Sequence, residues 1–416
     1  MRILARSALS ISLSAALLAG CGGSQPAGVP LSPLSHGLPA ERAHPDVSGF
    51  GTLFAISRSG KETVIHNFGG PPDGANPSAD LIDVNGTLYG TTSSGGANNG
   101  GTVFAVTASG AETVLHSFGG SNDGRDPVAG LVSVKGTLYG TTLYGGRHDY
   151  GTVYSITPSG TEAVLHNFEG DNFKGSADGT SPASMLVDVN GPLYGTTEFG
   201  GSGSCGAALT EYDGCGTVFR ITTSGKETVL HDFDGFHGWR PYGGLVNVNG
   251  TLYGTTVWSP VGFGHGIVFK ISTSGTEATI YTFQGKAGDG ASPYGGLLNV
   301  NGTLYGTTDE GGAKNRGTFY AITTSGAEKM LHSFGAEQDG SHPYSRLVNV
   351  SGKLYGTTTM GRRATFGGTV FAVTTSGAEM VVDDFSRPQK GRHPYAGLIN
   401  IKGTFYGTTE YGGANK

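Results

Sequence analysis

The segment NGTLYGTTSSGGANNGGTVFAVTASGAETVLHSF occupies residues 85–118, and most of the chain is built from copies of it. Its LYGTT core has a tyrosine at 89, 139, 194, 253, 305, 355 and 406, so successive copies lie 50, 55, 59, 52, 50 and 51 residues apart. Its GTVF core begins at Gly51, Gly101, Gly151, Gly216, Gly266, Gly317 and Gly368. A unit this short cannot bury its own apolar face and must stack on its neighbours, so the period constrains the architecture before any single residue does.

One repeat reads as four strands. Residues 129–134 (AGLVSV) alternate and end at a Lys135-Gly136 turn, which is Asn-Gly at 85–86, 249–250 and 301–302. Asn-Gly is the pair a type I′ hairpin selects, because both central residues need positive φ. TLYGTT (137–142) is the second strand, GTVYSIT (151–157) the third and EAVLHNF (162–168) the fourth, with Ser159-Gly160 turning between the last two. We label them A to D. A longer link rich in Asp-Gly and Pro leads to the next A strand. Four strands per unit of about fifty residues describe a β-propeller blade. Composition agrees: 75 glycines, 38 Tyr plus Phe and only 14% charged residues favour strands joined by tight turns. The glycine at the centre of each B strand (Gly90, Gly140, Gly195, Gly254, Gly306, Gly356, Gly407) is expected where neighbouring sheets approach closely.

The repeats enter at strands C and D (Gly51 onward, Glu62–Phe68) and finish at strands A and B (Ala396–Ile401, Thr404–Thr409). Neither half-blade can pair its edges alone. Together they make one blade, which predicts an all-β, closed ring of seven four-stranded antiparallel blades over residues 48–416. An open β-solenoid would leave unpaired edges at both ends.

Residues 1–20 carry Arg2 and Arg6, then the apolar run Ser7–Leu18, too short to span a bilayer. The run ends in Leu18-Ala19-Gly20-Cys21, which resembles a bacterial lipoprotein signal with Cys21 as the acylated residue; an ordinary signal peptide is the alternative. Gly22 after Cys21, by the same resemblance, implies the outer membrane or beyond. Residues 21–47, rich in Pro, Gly and Ser, read as a lipidated, disordered tether.

The ordered series LYGTT, GG, GTVF, ETVLHSF and DG–P–GL resembles the bacterial GloVer tandem-repeat family, whose members are described by a choice of surface anchors. The resemblance covers residues 50–416 and implies an exported, anchored propeller without an attached reaction. Kelch repeats share the period, but these units lack a Trp in each copy.

Candidate chemistry is sparse. Cys205 and Cys215 flank the long B–C insertion of the third unit, and in an exported protein they are expected to form a disulfide, with two free thiols as the alternative. His66, His116, His166, His231 and His332 recur at one strand-D position, as Tyr281 and Asp383 do in the other units, so structural bonding is expected of them rather than a metal. Asp73, Asp123, Asp178, Asp289 and Asp339 each precede Gly and read as turn residues. The polar A-strand position (Asp83, Ser133, Asp188, Asn247, Asn299, Asn349, Asn400) is a candidate lining of the axial channel. No nucleophile–base–orienter set is visible, so no catalytic residue, metal or cofactor is expected.

A net charge of −6 and the absence of a basic stripe argue against nucleic acid. In a meander the D–A links and B–C loops share one face, and variation between units concentrates there. Trp239 and Trp258, the two tryptophans of the chain, fall on it in one sector, with Phe236, His237, Arg240, Phe263 and His265 nearby in sequence. Aromatics with Arg suit stacking on sugars or anchoring a protein; packing beneath a longer loop is the plain alternative. The expectation is a monomeric binding module in the cell envelope, held to the membrane by lipid alone, with glycan or an envelope protein as partner. An extracytoplasmic lyase or hydrolase using the axial pocket is the second reading, and a purely structural envelope protein the third.

Overall fold

The computed structural model describes residues 49–107, 109–169, 178–203, 214–259, 264–362 and 365–414. The segment 1–20 expected to be a signal, the lipidation candidate Cys21, the expected tether 21–47, Cys205 and Phe263 lie outside them. Seven antiparallel sheets carry the repeats, each with the strand order A-B-C-D. In blade 2 these strands are Val132–Val134, Thr137–Thr142, Thr152–Ile156 and Glu162–Asn167. Blade 7 joins Ile399–Ile401 and Thr404–Thr409 to Thr52–Ser57 and Glu62–Asn67, with Thr52 opposite Thr409 and Ser57 opposite Thr404. The expected seam is therefore a full antiparallel ladder, and the fold is the seven-bladed propeller. Neighbouring A strands touch one another, which places them around the axis. No helix among the described residues is long and apolar enough to cross a membrane.

The turns form as their residues require. Asn85-Gly86, Lys135-Gly136, Asn249-Gly250 and Asn301-Gly302 all have both φ positive, between 51° and 86°. The polar A-strand position closes these turns rather than lining the channel: Asp83 Oδ1 accepts from Gly86 N at 2.8 Å, and Asn247, Asn299 and Asn349 do the same for Gly250, Gly302 and Gly352. An Asx side chain two residues before the turn reaches its amide more readily than it reaches the axis. The A strands are also shorter than expected, because the residues ahead of them bond across blades. Ala129 O, for example, accepts from Thr91 Oγ1 of blade 1 at 3.1 Å.

The B-strand glycines answer to their own blade and not to a neighbouring sheet. Gly254 pairs with Phe269, and a Cβ on Gly254 would lie 2.6 Å from that ring. Gly140 and Tyr154, Gly306 and Tyr320, and Gly356 and Phe371 repeat the arrangement. The ring laid over glycine then meets the D-strand Phe of the preceding blade edge-on: Phe233–Phe269 at 5.2 Å, Phe118–Tyr154 at 4.9 Å, Phe334–Phe371 at 5.1 Å. These rings are fully buried, and T-shaped pairs add about 0.5–1.5 kcal/mol each beyond their buried area. The core is thus a set of wedges between blades.

Candidate functional site

Each D–A link runs beside the B–C loop of the blade it enters. Ala75 pairs with Ser94, Arg125 with Tyr144, Thr180 with Phe199, Trp239 with Trp258, Ala291 with Glu310, and Arg392 with Tyr411. The backbone contact recurs while the side chains change. Trp239 N donates to Trp258 O at 3.1 Å, and Trp258 N donates back at 3.3 Å. Their rings lie side by side, centroids 5.8 Å apart and tilted 35°. Both are half-buried, and Trp239 also packs on the core between blades 3 and 4.

The same position carries aromatics in the two preceding blades. Arg125 stacks over Tyr144 at 4.8 Å, with Asp149 gripping its guanidinium at 2.8 Å. Arg240 lies over Phe199 at 5.3 Å. Tyr144, Phe199 and the tryptophan pair therefore follow one another around blades 2, 3 and 4. The tryptophans stand out in the sequence and Tyr144 and Phe199 do not, although each of these stands directly before a Gly-Gly pair at the matching repeat position.

The remaining candidates separate. Phe236 is 78% exposed, in a turn held by Asp234, whose Oδ1 accepts from the amides of Phe236 and His237 at 2.9 Å. His237 is exposed and bonds Asp234 through Nδ1 at 3.1 Å. Burial works against the Asp234 charge, but the bonds from His237 hold its pKa below the ordinary value. His265 leaves the group and lies flat against Gly285 of the next link. Arg240 turns inward, its side chain only 12% exposed, and pairs with the buried Glu198 at 3.3 Å.

That inward turn leads to the axis, where four tyrosines meet. Tyr294 stacks on Tyr344 at 4.5 Å; Tyr242 meets both, at 5.5 and 6.0 Å; Tyr344 meets Tyr395 at 5.2 Å. They come from four consecutive blades, each directly after a proline (Pro241, Pro293, Pro343, Pro394), whereas blades 1–3 have Ser78, Val128 and Ala183 there. Burial raises the pKa of Tyr242, Tyr294 and Tyr344, so they stay neutral. Beside them His342 Nδ1 bonds the buried Asp309 at 3.2 Å. Burial alone would lower the His342 pKa, but Asp309 raises it. Glu198 and Asp309 both sit one residue past the second Thr of LYGTT. This mixed set of acids, bases and phenols was not foreseen, because its members lie in different repeats.

The strand-D histidines have partners the sequence did not suggest. Four of the five link aspartates bond a D-strand histidine: His66–Asp73 at 3.3 Å, His116–Asp123 at 3.0 Å, His166–Asp178 at 3.1 Å, His332–Asp339 at 3.0 Å. A glutamate at the start of the next blade's D strand completes the groups His66–Asp73–Glu112, His116–Asp123–Glu162 and His332–Asp339–Glu379, whose ligand-type atoms lie within 4.8 Å of one another. Cys215 is fully buried in the core between blades 3 and 4.

The sequence matches the Gloeobacter/Verrucomicrobia repeat in three overlapping stretches, residues 44–209, 172–289 and 259–416. No curated protein matches it. Among solved structures, a protein from Lactobacillus plantarum is similar with a TM-score of 0.52 at 12% identity, over 86% of this chain and 99% of that one. Puromycin hydrolase gives 0.49 at 14% identity over 79% of this chain, and the tricorn protease 0.40 at 11% over 73%. The chain spans only 49% and 26% of the length of those two enzymes. These likenesses concern the fold alone.

Proposed function

The chain belongs to the Gloeobacter/Verrucomicrobia repeat family, and from that premise we propose that it is an exported, membrane-anchored binding module that takes glycan on its loop face. One observation carries this reading. At a position where the backbone contact repeats from blade to blade, blades 2–4 present Tyr144, Phe199 and the Trp239–Trp258 pair in succession. Partly exposed rings in a row, with Arg125 over Tyr144 and the exposed Phe236 three residues before Trp239 in sequence, offer apolar surface and hydrogen-bond donors to a chain of sugar rings. Acylation at Cys21 and a Cys205–Cys215 bridge pinning the loop between Phe199 and strand C of blade 3 belong to the same proposal. Palmitate labelling that survives Cys21→Ser, or thiols at 205 and 215 that alkylate without reduction, would remove those parts.

The test is a glycan array with the full chain beside Trp239→Ala/Trp258→Ala and Phe236→Ala. Binding is expected to fall roughly thirtyfold or more in the double variant, the equivalent of about 2 kcal/mol carried by an aromatic anchor. Trp239 also packs on the core, so Phe236→Ala is the cleaner probe: it should weaken binding several-fold and leave Tm unchanged. A wild-type chain that binds no glycan would end this reading and direct the search to an envelope protein.

The axial group favours a second reading, a carbohydrate-active enzyme. Glu198, Arg240, Asp309 and His342 supply acid, base and cation, yet each carboxylate is already paired. Hydrolysis of a bound glycan that Asp309→Asn abolishes would move the conclusion there.

A further inference from the structure

Seven equivalent positions lie between neighbouring blades, each made of the strand-D residue, the residue before the link glycine, and the first glutamate of the next D strand. Their occupants differ in one telling way. Between blades 6 and 7 they are Asp383, Lys390 and Glu62, and the Lys390 ammonium sits between the two carboxylates, 3.0 Å from Asp383 and in an ion pair with Glu62. Between blades 4 and 5 they are Tyr281, Asp289 and Glu328, and the Tyr281 hydroxyl bonds both carboxyl groups. At these two positions the chain supplies its own positive or donor group.

Between blades 5 and 6 the donors are the His332 imidazole and a proton that Glu379, pushed up to about 7 chiefly by burial, shares with Asp339, a proton that a bound cation would displace. His332 Nε2 bonds Asp339 Oδ2 at 3.0 Å, which uses one oxygen of that carboxylate. Asp339 is buried, its side chain 4% exposed, and its Oδ1 has no donor; neither has the buried Oε1 of Glu379. Asp339 and Glu379 each bring one ligand-type oxygen within 4.8 Å of the His332 nitrogen, and a buried carboxylate with an unpartnered oxygen favours a cation beside it. Arg362 contributes field there without bonding either of these atoms.

We propose that His332, Asp339 and Glu379 hold a divalent first-row transition ion such as Zn2+ between blades 5 and 6, and that His66–Asp73–Glu112 and His116–Asp123–Glu162, which bring the same ligand types within 4.8 Å although their aspartates also accept from turn amides, are further sites of this kind. One imidazole nitrogen and two carboxylates are an ordinary donor set for this class of ion, and their charges balance a dication. Ligand atoms bound at about 2.0–2.2 Å stand roughly 3 Å or more apart, as His332 Nε2 and Asp339 Oδ2 do. Water completes the coordination on the outer side, where His332 is 21% exposed. The ion occupies the place that Lys390 fills one interface away, and it ties each blade to the next.

The experiment uses the full chain, stripped with EDTA, reloaded with Zn2+, desalted and counted by mass spectrometry. About three ions per chain are expected, about two for the near-isosteric Glu379→Gln, and close to none for Glu112→Gln/Glu162→Gln/Glu379→Gln. The wild-type Tm should rise on adding Zn2+ and fall with EDTA, and that of the triple variant should respond to neither. Fewer than about half an ion per wild-type chain, or the same count in wild type and triple variant, overturns the proposal. The three neutral variants keep side-chain volume, so the count can be read on folded protein. The glycan array is a separate measurement, and the two readings fail independently.

Discussion

Gly254 shows how much one residue specifies here. A glycine mid-strand normally weakens a sheet, yet Phe269 lies across this one so closely that a Cβ would meet its ring at 2.6 Å with Leu245 at 3.0 Å. Gly254→Ala must displace a ring that also packs edge-on against Phe233. We expect it to destabilise by about 1–3 kcal/mol, read as a lower urea midpoint at unchanged m; a midpoint equal to wild type would show that the ring moves freely. The glycine itself was legible in the sequence, since it recurs in every repeat. Its reason was not, because alternation says which residues share a face and not which ring spans the strand beside them.

The element that holds the molecule together is the blade interface. Its apolar half was foreshadowed by Phe at the end of every D strand. Its polar half escaped notice, because histidine, aspartate and glutamate come from two repeats and look like separate turn and strand residues until the blades are stacked. Lys390 measures the electrostatic weight of one interface. Glu62 is only 2% exposed and Asp383 14%, and burial pushes Glu62 up while Lys390 pulls it back. Removing the ammonium in Lys390→Met leaves two buried carboxylates facing each other. The loss should be about 3 kcal/mol, the usual penalty for an orphaned buried charge, and Lys390→Met/Glu62→Gln should recover part of it. Equal denaturation midpoints for wild type and Lys390→Met would mean the cluster is solvated and carries no such weight.

At the scale of the whole ring, the seam was legible because half-blades at the two ends of the repeats have one partner each. The candidate loop-face site was half legible: rare tryptophans announced their sector, while Tyr144, Phe199 and the axial tyrosines emerged only when separate repeats were brought together. Ring closure also makes the interfaces act together, and pH should expose this. Glu227, facing His166 and Asp178, and Glu328, facing Tyr281 and Asp289, are both pushed up to about 7, chiefly by burial. A carboxyl whose folded pKa lies above its unfolded value of 4.5 binds its proton more tightly when folded. Its stabilising contribution is complete below pH 4.5 and is lost as the pH rises through about 7. His116 and His342, both raised by aspartate partners against burial, work in the same direction, and buried His231, which is lowered, opposes them in part. Both glutamates are about half-solvated, so screening trims each effect. In EDTA, Tm should fall by roughly 2–4 °C between pH 5 and pH 7.5, and Glu227→Gln/Glu328→Gln should flatten the slope. A Tm that climbs over this interval would place the dominant titration on the paired aspartates instead.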